Sequence, residues 1–352
     1  MKITHIENIR SLCILRLSAI GDVTHVLPVV ATLQKANPKL KITWIIGKIE
    51  HKLVNGMPGV EFIIYDKNRG KNALNELKYT LKSRIFDVLF HMQYSFRANR
   101  VAWKIPAKIR IGFDKKRSRE FHGFRLTNRI PAIEQQHVLD SFMEFPLLLG
   151  AMEKVYEWNI STNLEEQEFA NKILHPTKPN VIINPCSSMS YRDWRVENYI
   201  QIIDFLQNKY AAHVIICGSP NSHEIATADK IAANTCQPCC NIAGKDTLKK
   251  LFALMQQADL VISSDSGPLH IANAAGTAVI GLHASTTAKR SGAYQFRHLA
   301  VDCFAKAAKK YENTSADKIK WGHQIKHPDV MQLVSVEAVK AKVVEVLDPI
   351  YH

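Results

Sequence analysis

Three short stretches of this chain gather hydroxyls, carboxylates, glycine and arginine where an apolar run gives way to a helical pattern. The first is Arg16-Leu17-Ser18-Ala19-Ile20-Gly21-Asp22-Val23-Thr24-His25. Its single glycine falls short of the three that a dinucleotide fingerprint needs, and no P-loop Gly-Lys-Ser/Thr is present. What remains is Asp22, read either as an N-cap or as a general base able to remove a proton. The second is Ser263-Ser264-Asp265-Ser266-Gly267-Pro268-Leu269-His270. Ser and Asp suit a cap, Gly267 lets backbone approach a ligand, and Pro268 suits a first helical turn. Free N–H groups at such a helix start attract an anion such as a diphosphate. The third is Asn184-Pro185-Cys186-Ser187-Ser188-Met189-Ser190-Tyr191-Arg192-Asp193-Trp194. Ser187 and Ser188 offer hydroxyls to phosphate, and Arg192 can hold two oxygens at once. Trp194 is expected to pack rather than to stack on a base. A shorter loop, residues 218–224, presents Glu224 either to ribose hydroxyls or as a favourable charge at a helix start.

Such loops need strands and helices to hold them. Apolar runs at residues 11–17, 41–46, 61–65, 86–91 and 108–113 predict strands, with helices over 22–37, 73–84 and 137–148. A second series predicts strands at 180–184, 213–217, 260–263 and 278–282, with helices over 196–209, 222–233, 247–256 and 267–275. The fold class is α/β, with two Rossmann-like domains, 1–165 and 166–352, joined through the polar stretch 159–179. A last helix near 336–347 packs on one domain or the other; the pattern does not say which. Open parallel sheets bind ligands at the carboxyl ends of their strands, so two such domains are expected to face a central cleft. Dehydrogenases, kinases and epimerases share that architecture, so the loops must decide.

The chain has 352 residues, with 46 Lys and Arg against 32 Asp and Glu, a formal net charge of +14. The first 161 residues hold 26 of the basic and 14 of the acidic residues, so twelve of the fourteen excess charges fall there. The densest stretch is Lys104, Lys108, Arg110, Lys115, Lys116, Arg117 and Arg119. Such a surface suits phosphorylated substrates, anionic lipid headgroups or nucleic acid. No nucleic-acid recognition module or interleaved aromatics accompany the basic run, so nucleic acid is not the expected partner. No run of roughly 20 apolar residues is present to span a bilayer, and Met1 to Arg10 lack a signal-peptide core. A cytoplasmic location is expected. Among seven cysteines, Cys13, Cys186 and Cys217 read as buried strand residues. Cys236, Cys239 and Cys240 have metal-like spacing but no matching second pair. No metal and no resident cofactor are expected.

The sequence resembles the heptosyltransferases of lipopolysaccharide core assembly, probed most strongly by Ser264-Asp265-Ser266-Gly267-Pro268-Leu269-His270-Ile271-Ala272-Asn273-Ala274 with Gly276-Thr277 after it. Ser18-Ala19-Ile20-Gly21-Asp22-Val23 and Leu27-Pro28 are similar to the family's opening motif. The resemblance covers most of the chain and implies an inverting, metal-independent transferase of GT-B architecture. It implies Asp22 as catalytic base, and Asp265, Ser266, Gly267 and His270 at the donor diphosphate. Ser187, Ser188 and Arg192 would contact the same phosphates, although family members often carry Thr and Lys there; Glu224 resembles the donor-nucleoside carboxylate. On the acceptor side the candidates are Gln93, Arg97, Arg117 and Arg119. The implied reaction moves L-glycero-D-manno-heptose from ADP-heptose to Kdo of Kdo-lipid A, at the anionic cytoplasmic face of the inner membrane. A later heptose addition, by a heptosyltransferase of the second or third type, and another nucleotide-sugar transferase remain as alternatives.

Overall fold

The computed structural model describes residues 4–351. The chain divides into two compact units, Met1–Ser161 and Thr162–His352. In the first, the elements follow one another as β1 (Ser11–Leu15), α1 (Ile20–Ala36), β2 (Lys41–Gly47), α2 (Lys48–Val54), β3 (Val60–Tyr65), α3 (Lys71–Thr80), β4 (Phe86–His91), α4 (Phe96–Ala102), β5 (Ala107–Gly112), β6 (Asn128–Arg129) and α5 (Val138–Leu148). The strands form one parallel sheet in the order β3-β2-β1-β4-β5-β6. Both faces are covered, as a parallel sheet requires. Cys13, Leu15, Ile45 and Leu89 pack against Leu77 of α3 and Ala98 and Val101 of α4.

The second unit runs α6 (Leu164–Ile173), β7 (Asn180–Asn184), α7 (Val196–Tyr210), β8 (His213–Ile216), α8 (Ser222–Ala233), β9 (Cys240–Asn241), α9 (Leu248–Met255), β10 (Leu260–Ser264), α10 (Gly267–Ala275), β11 (Val279–His283), α11 (Ala288–Ser291), β12 (Val301–Asp302), α12 (Phe304–Tyr311) and α13 (Val336–Tyr351). Its sheet, again parallel, has the order β12-β11-β10-β7-β8-β9. Alternate residues Val181, Ile183, Leu260 and Ile262 meet Tyr199, Ile202 and Leu206 of α7. The final helix, α13, packs on this unit. Its stripe Val339, Val343 and Leu347 is fully buried in the same core, and Lys209 and Tyr210 bond Asp348. The polar stretch around residue 163 is helical: Asn163 and Glu166 close a capping box that starts α6.

In each sheet the chain builds one half outward, then crosses back to place its next strand beside the first. The switch points lie between β1 and β4 and between β7 and β10. Crossovers leave in opposite directions there, opening a crevice at the strands' carboxyl ends where ligands bind.

Beside β5, the loop 113–126 is held by buried histidines. His122 accepts from the Phe113 amide at 3.0 Å through Nε2, and its ring lies 4.3 Å from that of His91. Burial, reinforced by the charge of Arg129, pulls His122 down to about 4. Burial also holds His91 well below the usual histidine range. The unfolded chain therefore binds more protons than the folded one once the pH falls below about 6.5. Stability contributed by neutral His122 should be full above that value and decline as the pH drops towards 4. Urea midpoints measured between pH 7 and 4 should fall, and His122→Asn should flatten that fall.

Candidate active site

At the first switch point, Arg16 continues from β1 and is 7% exposed. A buried guanidinium needs acceptors on its fork, and it finds them in the Met92 carbonyl, 2.5 Å away, and the Asp22 carboxylate. Its charge also lies 5.4 Å from the Phe142 ring centre. Asp22 sits in the first turn of α1, with its side chain one-third exposed. Ala19 is the N-cap, so Asp22 does not cap the helix. Gln93, just past β4, spans the crevice: its Oε1 accepts from the Leu17 amide at 2.7 Å, and its Nε2 donates to Ser18 Oγ at 3.2 Å. The arrangement presents a carboxyl group fixed through one oxygen by arginine and reachable by a ligand.

At the second switch point, α10 begins at Gly267 with Ser266 as an extended N-cap whose side chain makes no cap hydrogen bond. The Ser266 hydroxyl instead accepts from Asn184 Nδ2 at 3.0 Å and lies 3.2 Å from Ser263 Oγ. This stitches β10 to β7 and leaves first-turn amides for an anion. Pro268 has no amide to contribute. Arg192 lies beside this helix start, its Nη1 3.3 Å from the Asp265 carbonyl and 3.7 Å from Asp265 Oδ2. Its Nε is buried with no acceptor among the described residues.

Asp265 is 7% exposed and serves as an internal anchor. Its Oδ2 accepts from Thr286 at 2.6 Å and from Ser291 at 3.4 Å. Burial opposes its ionisation, but His283, His270 and Arg192, with the Thr286 bond, outweigh that and hold the carboxyl below the usual range. A carboxylate so placed repels a diphosphate directly; it holds Arg192 and the Thr286–Ser291 loop in place. His270 Nε2 lies 3.9 Å from the same carboxylate.

Ser187 and Ser188 follow β7, but the Ser187 hydroxyl donates to the Met189 carbonyl at 2.8 Å, leaving Ser188 the exposed one. Glu224 closes its own loop, accepting from the Ser219 amide and hydroxyl at 2.7 Å each and from Asn221 Nδ2 at 2.6 Å. Arg97 and Arg119 are exposed. Arg117 is a staple within the fold: it pairs with Asp114, reaches the Pro131 carbonyl at 2.6 Å, and bonds Ser141. Its fork is spent on internal acceptors rather than offered to an acceptor phosphate.

Sequence reasoning missed Arg16, Asn184, Thr286 and Ser291 as parts of these sites. A buried-strand arginine beside the Asp22 loop, and a hydroxyl-rich run straight after β11, were the available signals. It also missed Asp246. Burial, with the charge of Glu224 adding to it, pushes that carboxyl up to about 7, and Oδ2 has no partner among the described residues.

Residues 74–320, well over half the chain, match Glycosyltransferase family 9 (heptosyltransferase). The chain belongs to glycosyltransferase family 9. It is a heptosyltransferase of the lipopolysaccharide core, 38% identical over 330 residues to the lipopolysaccharide core heptosyltransferase OpsX of Haemophilus influenzae. That alignment covers 94% of this chain and 95% of OpsX. Among solved structures, a family 9 glycosyltransferase from Veillonella parvula superposes with TM-score 0.80 at 20% identity, covering 99% of each chain. Escherichia coli WaaC, solved with ADP-2-deoxy-2-fluoro heptose, gives TM-score 0.69 at 16% identity, over 95% of this chain and 99% of its own. The heptosyltransferase thus has the GT-B class of fold that the family resemblance implied. Among its described residues, no helix is long and apolar enough to cross a membrane.

Proposed function

We propose that this heptosyltransferase transfers L-glycero-D-manno-heptose from ADP-heptose to Kdo of Kdo-lipid A, adding the first core heptose with inversion and without a metal. The observation that carries the donor half is the α10 start, where uncapped first-turn amides lie beside Arg192 at a topological switch point. An anion of diphosphate size suits it. WaaC, of the same fold, was solved with an ADP-heptose analogue, which favours that donor over other nucleotide sugars.

On the first unit, Asp22 removes the acceptor hydroxyl's proton as that oxygen attacks the anomeric carbon on the face opposite ADP. The sugar passes through an oxocarbenium-like transition state. Negative charge grows on the departing diphosphate, where Arg192, Ser188 and the Gly267 and Leu269 amides stabilise it. Ser187, Ser266 and Asp265 shape that pocket, and Glu224 holds the loop that meets the nucleoside. Gln93 sets the opening loop around Asp22, and exposed Arg97 and Arg119 meet acceptor anions. The basic first unit favours the phosphorylated acceptor of the first addition and a peripheral place on the cytoplasmic face of the inner membrane.

The test is product formation from ADP-heptose and purified Kdo-lipid A with chelator present. A heptosylated Kdo and released ADP are expected. Transfer only to an acceptor already carrying heptose would move the reaction to a later core step. No binding of ADP-heptose at all would overturn the donor assignment.

A further inference from the structure

The sequence cluster with metal-like spacing, Cys236, Cys239 and Cys240, is not the group that the fold assembles. Among the described residues, three different side chains bring ligand atoms together: Cys186, Asp193 and His223 lie with Sγ, a carboxylate oxygen and a ring nitrogen all within 4.8 Å of one another. Two come from the loop between β7 and α7, and the third from the first turn of α8.

The parts are preset. The Ser187 amide donates to Asp193 Oδ1 at 2.6 Å, while Asp193 Oδ2 faces His223 Nε2 at 3.6 Å. One carboxylate oxygen is thus tied to backbone and the other turned to the imidazole, the outer-shell orientation that ligating carboxylates show. Ligands bonded at roughly 2.0–2.3 Å to one tetrahedral ion lie ~3.5 Å apart, so the Asp193–His223 spacing already fits. The His223 side chain is 65% exposed, whereas Cys186 is 3% exposed at the base of the group. An entry path therefore exists on the imidazole side.

We propose that Cys186 Sγ, Asp193 and His223 bind a zinc-class divalent cation. A thiolate, an imidazole and a carboxylate suit borderline-soft ions and disfavour magnesium or calcium, which take oxygen ligands. On binding, the Cys186 S–H proton leaves to solvent as the metal–sulfur bond forms. The ion clips the Ser187–Asp193 loop to the start of α8, so that the two loops at the carboxyl ends of β7 and β8 move as one piece. This role is structural and independent of the transfer reading, and it adds no step to the proposed chemistry.

The test is cobalt(II) titration of the full chain after chelator treatment, followed by the near-ultraviolet thiolate-to-cobalt absorption. The expected result is one thiolate-bound cobalt per chain, displaced by zinc. Cys186→Ser should lose the thiolate band, and His223→Ala, at an exposed position that leaves folding intact, should weaken binding at least ~10-fold. A triple variant, Cys236→Ser with Cys239→Ser and Cys240→Ser, should keep the band. Absence of the band in the parent chain, its loss in the triple variant, or unchanged affinity in His223→Ala would each overturn the proposal. None of these readouts involves heptose transfer, so its outcome and that of the transfer assay stand apart.

Discussion

Asp22→Asn is expected to lower kcat by ~10²–10⁴-fold, the range lost with general acid–base assistance, while ADP binds as before. The substitution preserves size, and the amide oxygen can still accept from Arg16, so the α1 start is held as in the parent chain. What the amide cannot do is take a proton at neutral pH. The ADP control separates this from damage to the fold, because the groups proposed to hold the donor phosphates belong to the second unit. Some stability will be lost as well. Arg16 is buried, and a buried cation facing a neutral partner is poorly compensated. Single-turnover assays on folded variant settle the matter: undiminished transfer would remove Asp22 from the mechanism.

Arg192→Ala is expected to cut kcat/KM for ADP-heptose by ~10²–10³-fold, the loss seen when one donor to a developing negative charge is removed. Two effects combine. On the proposed reading the diphosphate loses the cation beside the α10 start, and Asp265 loses one of the positive groups that keep it ionised in a buried place. Arg192→Lys should recover part of the loss, since the charge returns but the planar two-pronged fork does not. Calorimetric titration of ADP into both variants tests this, and unchanged ADP affinity in Arg192→Ala would sink the assignment.

Much of the frame was legible because parallel strands buried on both faces read as plain apolar runs, as at residues 180–184 and 260–263. The final helix declared itself through Val339, Val343 and Leu347, although only the fold shows which unit they enter. What stayed hidden had little pattern to show. In α6 the one buried residue is Ala170, so no apolar stripe marks it. The strands β6, β9 and β12 have two residues each and owe their pairing to the neighbouring edge.

The candidate sites divide in the same way. Loops that carry the chemistry follow strands, and their hydroxyls, glycine and charges stand out locally. Strand order is a long-range property. Nothing local says that Gln93 reaches Leu17, that Asn184 reaches Ser266, or that Thr286 holds Asp265. Arg117 shows the opposite error. Within a basic run it looks like solvent-facing charge, yet its partners at Pro131 and Ser141 arrive from farther along the chain.

The start of α10 carries one more implication. The groups proposed to face phosphate there are main-chain amides, which every residue except proline supplies. Substituting side chains one by one along this turn leaves those amides in place. On the proposed reading, the donor grip is therefore written in the path of the backbone more than in its lettering.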